Sequence, residues 1–462
     1  MPGMSFNSLT FTIFIAVFAA IWPFVKTHRL SRYWAITIAS FIFYGWWDWR
    51  FLILIVFTGL VDFCAGIGME RAQGKNVKRT ILGLSLLSNL GILSIFKYST
   101  FVATNIDAWF GTSLQAHIPP FMLILPVGIS FYTFQSLSYT IDVYRGKLKP
   151  THSLIHFYAF ISLFPQLVAG PIIRATDLLW RLEKVPHTTE SQRFSAMRLI
   201  VAGYIQKLLI ADHLAPYVDR AFANPQSSEG TLLWWGVMTL FALQIYCDFA
   251  GYSNIARGLL KFMGWNIKPN FKFPYFSIGF RDFWNRWHIS LSHWFRDYVY
   301  IPLGGAGSVF YLWITMLASG LWHGAAWTFL IWGALHAAYV TLERYTHWPD
   351  HMPKPAAIGV TFAMTVFAWV FFRADSFGDA LHIAGNMLIP TADKSPVDHG
   401  FPTGIVIFFL LFELWGRFRP LHYLAPYRVV LMRRLEVILL GFMFFIAIAF
   451  RGEGHGFIYF QF

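Results

Sequence analysis

Apolar residues run along the whole chain in blocks of membrane-crossing length, and charged residues gather in the short gaps between them. The blocks predict spanning helices at about 8–25, 33–47, 50–69, 80–97 and 121–140, then at about 196–212 and 231–250. A second series follows at about 308–322, 327–343, 356–373, 404–417 and 435–450. Residues 154–170 are apolar too, but they end at Gly170-Pro171 and lead into Arg174, Arg181, Lys184 and Arg193. A full crossing would carry that basic stretch outside, so the pattern predicts a re-entrant or interfacial segment, whose irregular backbone is tolerated where protein buries it. Residues 257–300 are too polar to cross and predict amphipathic helices at the membrane face. The expected fold class is an all-α polytopic membrane protein, with about 11–12 transmembrane helices plus re-entrant and interfacial helices.

The gaps orient the chain. Lys26, His28, Arg29 and Arg32 follow the first block, and Arg71, Lys75, Lys78 and Arg79 follow the third. The positive-inside rule puts both loops in the cytoplasm and the N-terminus outside. Residues 100–120 hold no Lys or Arg, as an outer loop should. Arg145, Lys147 and Lys149 return the chain inside, as do Arg257, Lys261, Lys268 and Lys272 of the 257–300 segment. Asp375, Asp379, Asp393 and Asp398 read as outer, Arg417, Arg419, Arg428, Arg433 and Arg434 as inner, and the last segment, 457–462, as outer. The first block lacks a basic lead and a small-residue cleavage site, so it reads as a retained span.

Composition changes little in this picture. Only 13% of the 462 residues are charged and 56% are hydrophobic, which excludes an ordinary soluble domain. The net charge of +13 fits basic loops on an anionic leaflet better than nucleic acid. No polar linker divides the chain, so one integral-membrane domain over 1–462 is expected. Cys64 and Cys247 lie in apolar blocks and read as packing residues; no metal site is predicted.

The chemistry concentrates in two stretches. One runs from Ser319 to Trp327 and places His323 where the bilayer should be. A buried, hydrogen-bonded core histidine is one account. Within a membrane the functional account is stronger, because an unsatisfied imidazole is costly there. His323 is then expected to face a polar tunnel, as general base on a hydroxyl acceptor. Gly320 and Gly324 would let a ligand approach the backbone, and Trp322 and Trp327 would wall the passage. The other stretch, Phe283 to Asp297, holds His288 among Trp and Arg, which suits either interfacial anchoring or a polar position at the tunnel mouth. Arg281, Arg286 and Arg296 suit the phosphates of a nucleotide-like acyl donor. Trp287 and Ser290 join them as tunnel-lining candidates. His293 reads as an interfacial bystander. His336 is either a lining group or a packed core histidine. Asp248 is expected to pair with an arginine, orient a histidine or fix helix packing. Gln135, Ser136, Ser138 and Asp142 give one span a polar face for bonds between helices. These features do not separate a membrane transferase from a transporter or channel.

A series of ordered motifs carries a resemblance that favours the transferase. Leu125-Pro126-Val127-Gly128-Ile129-Ser130-Phe131, Asp142-Val143-Tyr144-Arg145-Gly146, Arg286-Trp287-His288-Ile289-Ser290-Leu291, Tyr300-Ile301-Pro302-Leu303-Gly304-Gly305 and Ser319-Gly320-Leu321-Trp322-His323-Gly324 together resemble the membrane-bound O-acyltransferase family. Within it, the likeness is to the AlgI-like branch of bacterial polysaccharide O-acetyltransferases, with a core over about 120–345. The resemblance implies helices ringed around a central funnel, His323 as catalytic histidine and His288 as its second functional position. It implies no tightly bound cofactor, with acetyl-CoA or another acetyl donor as cytoplasmic substrate. The acetyl group would cross a bacterial inner membrane for O-acetylation of an exopolysaccharide such as alginate or cellulose. Implied partners are a periplasmic SGNH-type acetyltransferase or acetyl-acceptor protein and an exopolysaccharide synthesis and export complex. D-alanyl transfer to teichoic acid, or a membrane transporter or channel without acyl transfer, is the alternative. Asn285, His293, Cys247 and Ala250 depart from the usual motif residues.

Overall fold

The computed structural model describes all residues except 1–3, 5, 7, 168–169, 395–401, 418–428, 453, 455 and 459–462; the side chains at 415, 417 and 429–435 are likewise undescribed. Asp398, Arg419, Arg428, the side chains of Arg417, Arg433 and Arg434, and the last four residues therefore lie outside the described residues. Among those described, the regular structure is helical, as the apolar blocks predict. Five helical runs are long and apolar enough to cross a membrane: Arg29–Arg71, Lys75–Phe110, Glu190–Phe222, Thr231–Met263 and Lys354–Arg373. Shorter apolar helices are Leu9–Val25, Val309–His323, Thr403–Leu414 and Glu436–Ala449.

Several boundaries differ from expectation; the span expected at 231–250 runs on to Met263, and the one at 196–212 lies in a helical run from Glu190 to Phe222. The fourth block continues as helix to Phe110, through residues expected to be loop. Its polar side chains bond back into the helix: the Ser99 hydroxyl donates to the Ile95 carbonyl at 2.6 Å and the Asn105 amide to the Phe101 carbonyl at 2.7 Å. The helix stops at Gly111, in the left-handed conformation. The fifth block starts late, at Ile129, because Pro119, Pro120 and Pro126 forbid a regular helix before it. The segment expected to be re-entrant is two short helices, Leu154–Ile161 and Phe164–Leu167. The protein satisfies its broken backbone: Gln135 Nε2 donates to the Phe160 carbonyl at 2.8 Å, and Ser40 Oγ accepts from Phe164 N at 3.1 Å.

The described chain forms two compact units, residues 1–196 with 256–268 and residues 197–255 with 269–462. In the first, a buried carboxylate knots three helices together. Asp62 accepts from Ser85 Oγ at 2.5 Å, from Asn89 Nδ2 at 2.9 Å and from Ser136 Oγ. Ser136 thus acts between helices as its polar face suggested, while its acceptor Asp62 went unsuspected. The second unit holds both histidine stretches. Its core is aromatic, with Trp234, Trp287, Trp332 and Trp369 all buried.

Candidate active site

The site starts with a helical hairpin whose arms are Val309–His323 and Trp327–Thr346. The arms touch backbone to backbone. A Cβ at Gly320 would come 2.3 Å from the Phe329 carbonyl oxygen, and one at Gly333 would come 2.5 Å from that of Met316. A Cβ at Gly324 would enter the Phe329 ring. These glycines close the hairpin, so the expectation that Gly320 and Gly324 make room for a ligand is corrected. The tight crossing sets His323, at the end of the first arm, 5.0 Å from Trp332 between ring centroids. Trp322 at 5.0 Å and Phe372 at 5.2 Å complete the shell. The imidazole is buried, with these three aromatic rings packed edge-on against it. Trp322 is buried in that shell, whereas Trp327 is 48% exposed and walls nothing.

His288 reaches the same place from another direction. It caps the helix Ile289–Phe295 with a left-handed backbone, φ 39° and ψ 53°. A non-glycine residue there costs on the order of 1–2 kcal/mol, so surrounding structure must impose it. Asn270 does so. Its carbonyl accepts from Ile289 N at 2.9 Å, and its side-chain oxygen accepts from Ser290 N at 3.1 Å and Ser290 Oγ at 2.9 Å. Ser290, expected to line the tunnel, is instead a fastener of the His288 backbone. Trp287, expected to line it too, is buried, stacked 5.7 Å from Phe283 and 5.0 Å from Trp369. The His288 ring is fully buried, 4.6 Å from Phe249, 5.9 Å from Trp322 and 6.5 Å from His323. It lies outside the apolar crossing helices, and burial pushes its imidazole down to about 3. The ring is therefore neutral near pH 7, with one N–H to donate and one lone pair to accept.

Asn270→Ala is expected to release this backbone and lower transfer about tenfold or more, while the chain still accumulates in the membrane. Rates of purified variant and wild type measured side by side check this; equal rates would remove Asn270 from the site.

A cavity of about 630 Å³ is lined by residues of both histidine stretches, among them Leu291, Ser292 and Ser319, but by neither His288 nor His323. Arg281 and Arg296 line it, as expected of donor-binding residues. Arg286 does not; its Nε bonds Asp282 at 2.7 Å one helical turn earlier, while Arg296, itself paired with Asp297 at 2.6 Å, keeps its place on the lining. Arg344 supplies the third guanidinium instead, with Nη2 donating to the Ala306 carbonyl at 2.8 Å. It escaped notice because a basic residue just past an apolar block reads as an interfacial anchor. Glu343 holds the wall in place by accepting from the backbone N–H groups of Phe280 and Arg281 at the start of the helix Phe280–Trp284. His293, expected to be an interfacial bystander, and Asn285 also line the cavity. Ser319, one turn before His323, is on the same wall.

Asp248 sits behind His288. Its partner is a lysine rather than the expected arginine or histidine: Lys207 Nζ lies 2.8 Å from Asp248 and 2.8 Å from Asp212, with all three buried. Asp248 Oδ2 also accepts from Ile458 N at 2.7 Å. The neighbouring Phe457 packs on Phe249, which packs on His288. Asp248 therefore braces the wall of the site and does not line the cavity.

Comparison with known proteins now bears on this geometry. A model of the MBOAT, or membrane-bound O-acyltransferase, family matches residues 147–373, which include both histidines. The chain is 39% identical over 388 residues to the probable alginate O-acetylase AlgI of Pseudomonas aeruginosa, an alignment covering 81% of this chain and 72% of that protein. The chain belongs to the membrane-bound O-acyltransferase family. It is a multi-pass membrane acyltransferase, which sets aside a transporter or channel. A peptidoglycan O-acetyltransferase of Helicobacter pylori is 33% identical over 79% of this chain and 75% of its own length. A teichoic acid D-alanyltransferase of Bacillus subtilis is 30% identical, over 57% of this chain and 72% of its own length.

Proposed function

We propose that this acyltransferase takes acetyl from acetyl-CoA at the cytoplasmic face of a bacterial inner membrane and delivers it outside for O-acetylation of a cell-surface or exported polysaccharide. The observation that carries this reading is the buried pair His288 and His323, with ring centroids 6.5 Å apart, whose own stretches supply Leu291, Ser292, Arg296 and Ser319 to a cavity also edged by Arg281 and Arg344. Guanidinium groups suit the phosphates of coenzyme A, and the apolar remainder of the cavity suits its arm. Two O-acetylating relatives, named for alginate and for peptidoglycan, support acetyl as the group and a glycan as its destination.

In the transfer, His323 accepts the proton of the acceptor hydroxyl. The hydroxyl oxygen bonds to the thioester carbonyl carbon, and the carbon–sulfur bond breaks. The thiolate leaves and takes up the proton, giving an acetyl ester and free coenzyme A. His288 donates its N–H to the reacting groups. The acceptor is a hydroxyl of a periplasmic SGNH-type protein, which hands acetyl to the polymer within a synthesis and export complex. The spacing of the basic loops supports a periplasmic N-terminus.

D-alanyl transfer is the second reading, favoured by the Bacillus subtilis relative. Purified protein offered labelled acetyl-CoA and, separately, a labelled D-alanyl carrier protein decides between them. Release of free coenzyme A from the first is expected; consumption of the second alone would replace acetyl by D-alanine.

A further inference from the structure

His336, in the second arm of the hairpin, is fully buried, and neither ring nitrogen has a hydrogen-bond partner among the described residues. Trp332 at 4.7 Å and Trp284 at 5.0 Å are its closest ring neighbours. Their indole N–H groups are also buried and also without partners among the described residues. Leaving such groups unpaired is costly, so a cluster of them marks a place built to meet a polar ligand group. Indoles only donate, so the group that suits the cluster is an acceptor such as a carbonyl oxygen.

Position along the arm narrows the choice. Trp332, His336, Val340 and Arg344 recur at every fourth residue and follow one gently winding stripe of the helix. At its far end Val340 and Arg344 line the cavity, and Trp284 lines it as well. At its near end Trp332 touches His323. At 1.5 Å per residue the stripe rises about 18 Å, comparable to an extended pantetheine arm.

We propose that His336 is a substrate-contacting residue, whose ring donates an N–H to the carbonyl oxygen of the acyl thioester when the donor's arm lies along this stripe. The inference rests on the acetyl-CoA reading. His336 makes and breaks no covalent bond. Its hydrogen bond strengthens as the carbonyl oxygen gains negative charge during attack. Both histidine rings touch the same indole, so a hydroxyl held by His323 and a carbonyl held by His336 fit across it.

The test compares binding of two probes to the full-length purified protein: S-acetonyl-CoA, a ketone analogue that keeps the carbonyl but cannot transfer it, and coenzyme A, which has none. His336→Phe fills the aromatic box without a donor. It is expected to weaken S-acetonyl-CoA roughly three- to tenfold while leaving coenzyme A unchanged. His336→Gln, with an amide N–H, is expected to recover part of the difference. In acetyl transfer, kcat/KM should fall in the Phe variant, with KM for acetyl-CoA rising in step with the weakened S-acetonyl-CoA and kcat falling as well. Where the Phe variant fails to accumulate, His336→Leu takes its place. Equal weakening of both probes, weakening of neither, or identical behaviour of Gln and Phe would overturn the role of His336. A wild-type protein that binds neither probe, in an assay where His323→Ala also changes nothing, would overturn the donor reading and this inference with it.

Discussion

Replacing His323 with alanine is expected to abolish acyl transfer, with a loss of about 10²–10⁴-fold that brings the rate near background. The size follows from the role. His323 is buried among Trp322, Trp332 and Phe372, with the His288 ring 6.5 Å away between centroids. His288 is pinned by Asn270 in a left-handed backbone and cannot move over to replace it. A truncated ring also leaves a hole in the aromatic shell, so loss of activity in the alanine variant alone could reflect repacking. His323→Phe refills that shell with a ring of similar size but no base, and should be equally inactive. Membrane accumulation and a single symmetric elution peak in detergent should match wild type for the Phe variant. Transfer within tenfold of wild type in either variant would remove His323 from the chemistry and leave the aromatic box as packing.

The elements of this site differ in how legible they are in the sequence. Hydrophobic period and length mark the crossing helices, and Gly324 after His323 marks the break between the hairpin arms, because both signals are local. Burial cost singles out His323 for the same reason: a titratable ring inside an apolar block is visible without a fold. Tertiary partners are not visible in this way. Nothing near Asp248 in sequence announces Lys207, and nothing near His288 announces Asn270, since both pairings depend on helix packing. Glycine is ambiguous at the level of sequence. Gly320 permits close approach of something, and only the hairpin shows that the something is the Phe329 carbonyl rather than a ligand. The arginines illustrate a further limit. Arg281, Arg286 and Arg296 look equivalent in one basic block, yet Asp282 captures Arg286 and the distant Arg344 takes its place at the cavity. Charge density was legible, whereas side-chain direction required the fold.

Lys207→Met is expected to cost the protein most of its stability, because it removes one cation from between two buried carboxylates. Lys207 Nζ stands 2.8 Å from both Asp212 and Asp248, and the three side chains are at most 4% exposed. Truncating one partner of a buried ion pair costs about 3–5 kcal/mol, since the charge left behind is neither solvated nor paired. Here two carboxylates are left, and a loss of that size approaches the whole stability of many folds. The variant should accumulate poorly, or unfold in detergent at a temperature lower by many degrees. The damage should also reach the site. Asp248 holds the Ile458 N–H, Phe457 packs on Phe249, and Phe249 packs on His288, so loosening Asp248 loosens the wall behind the second histidine. Neutralising all three positions, as Lys207→Met with Asp212→Asn and Asp248→Asn, removes the stranded charges and should restore much of the accumulation, because a neutral core of similar volume is tolerated where a broken ion pair is not. Restored accumulation with reduced transfer would place the cluster in support of the His288 wall. If Lys207→Met alone accumulates and melts like wild type, the cluster contributes little to the fold, and its carboxylates must be neutralised by protons instead.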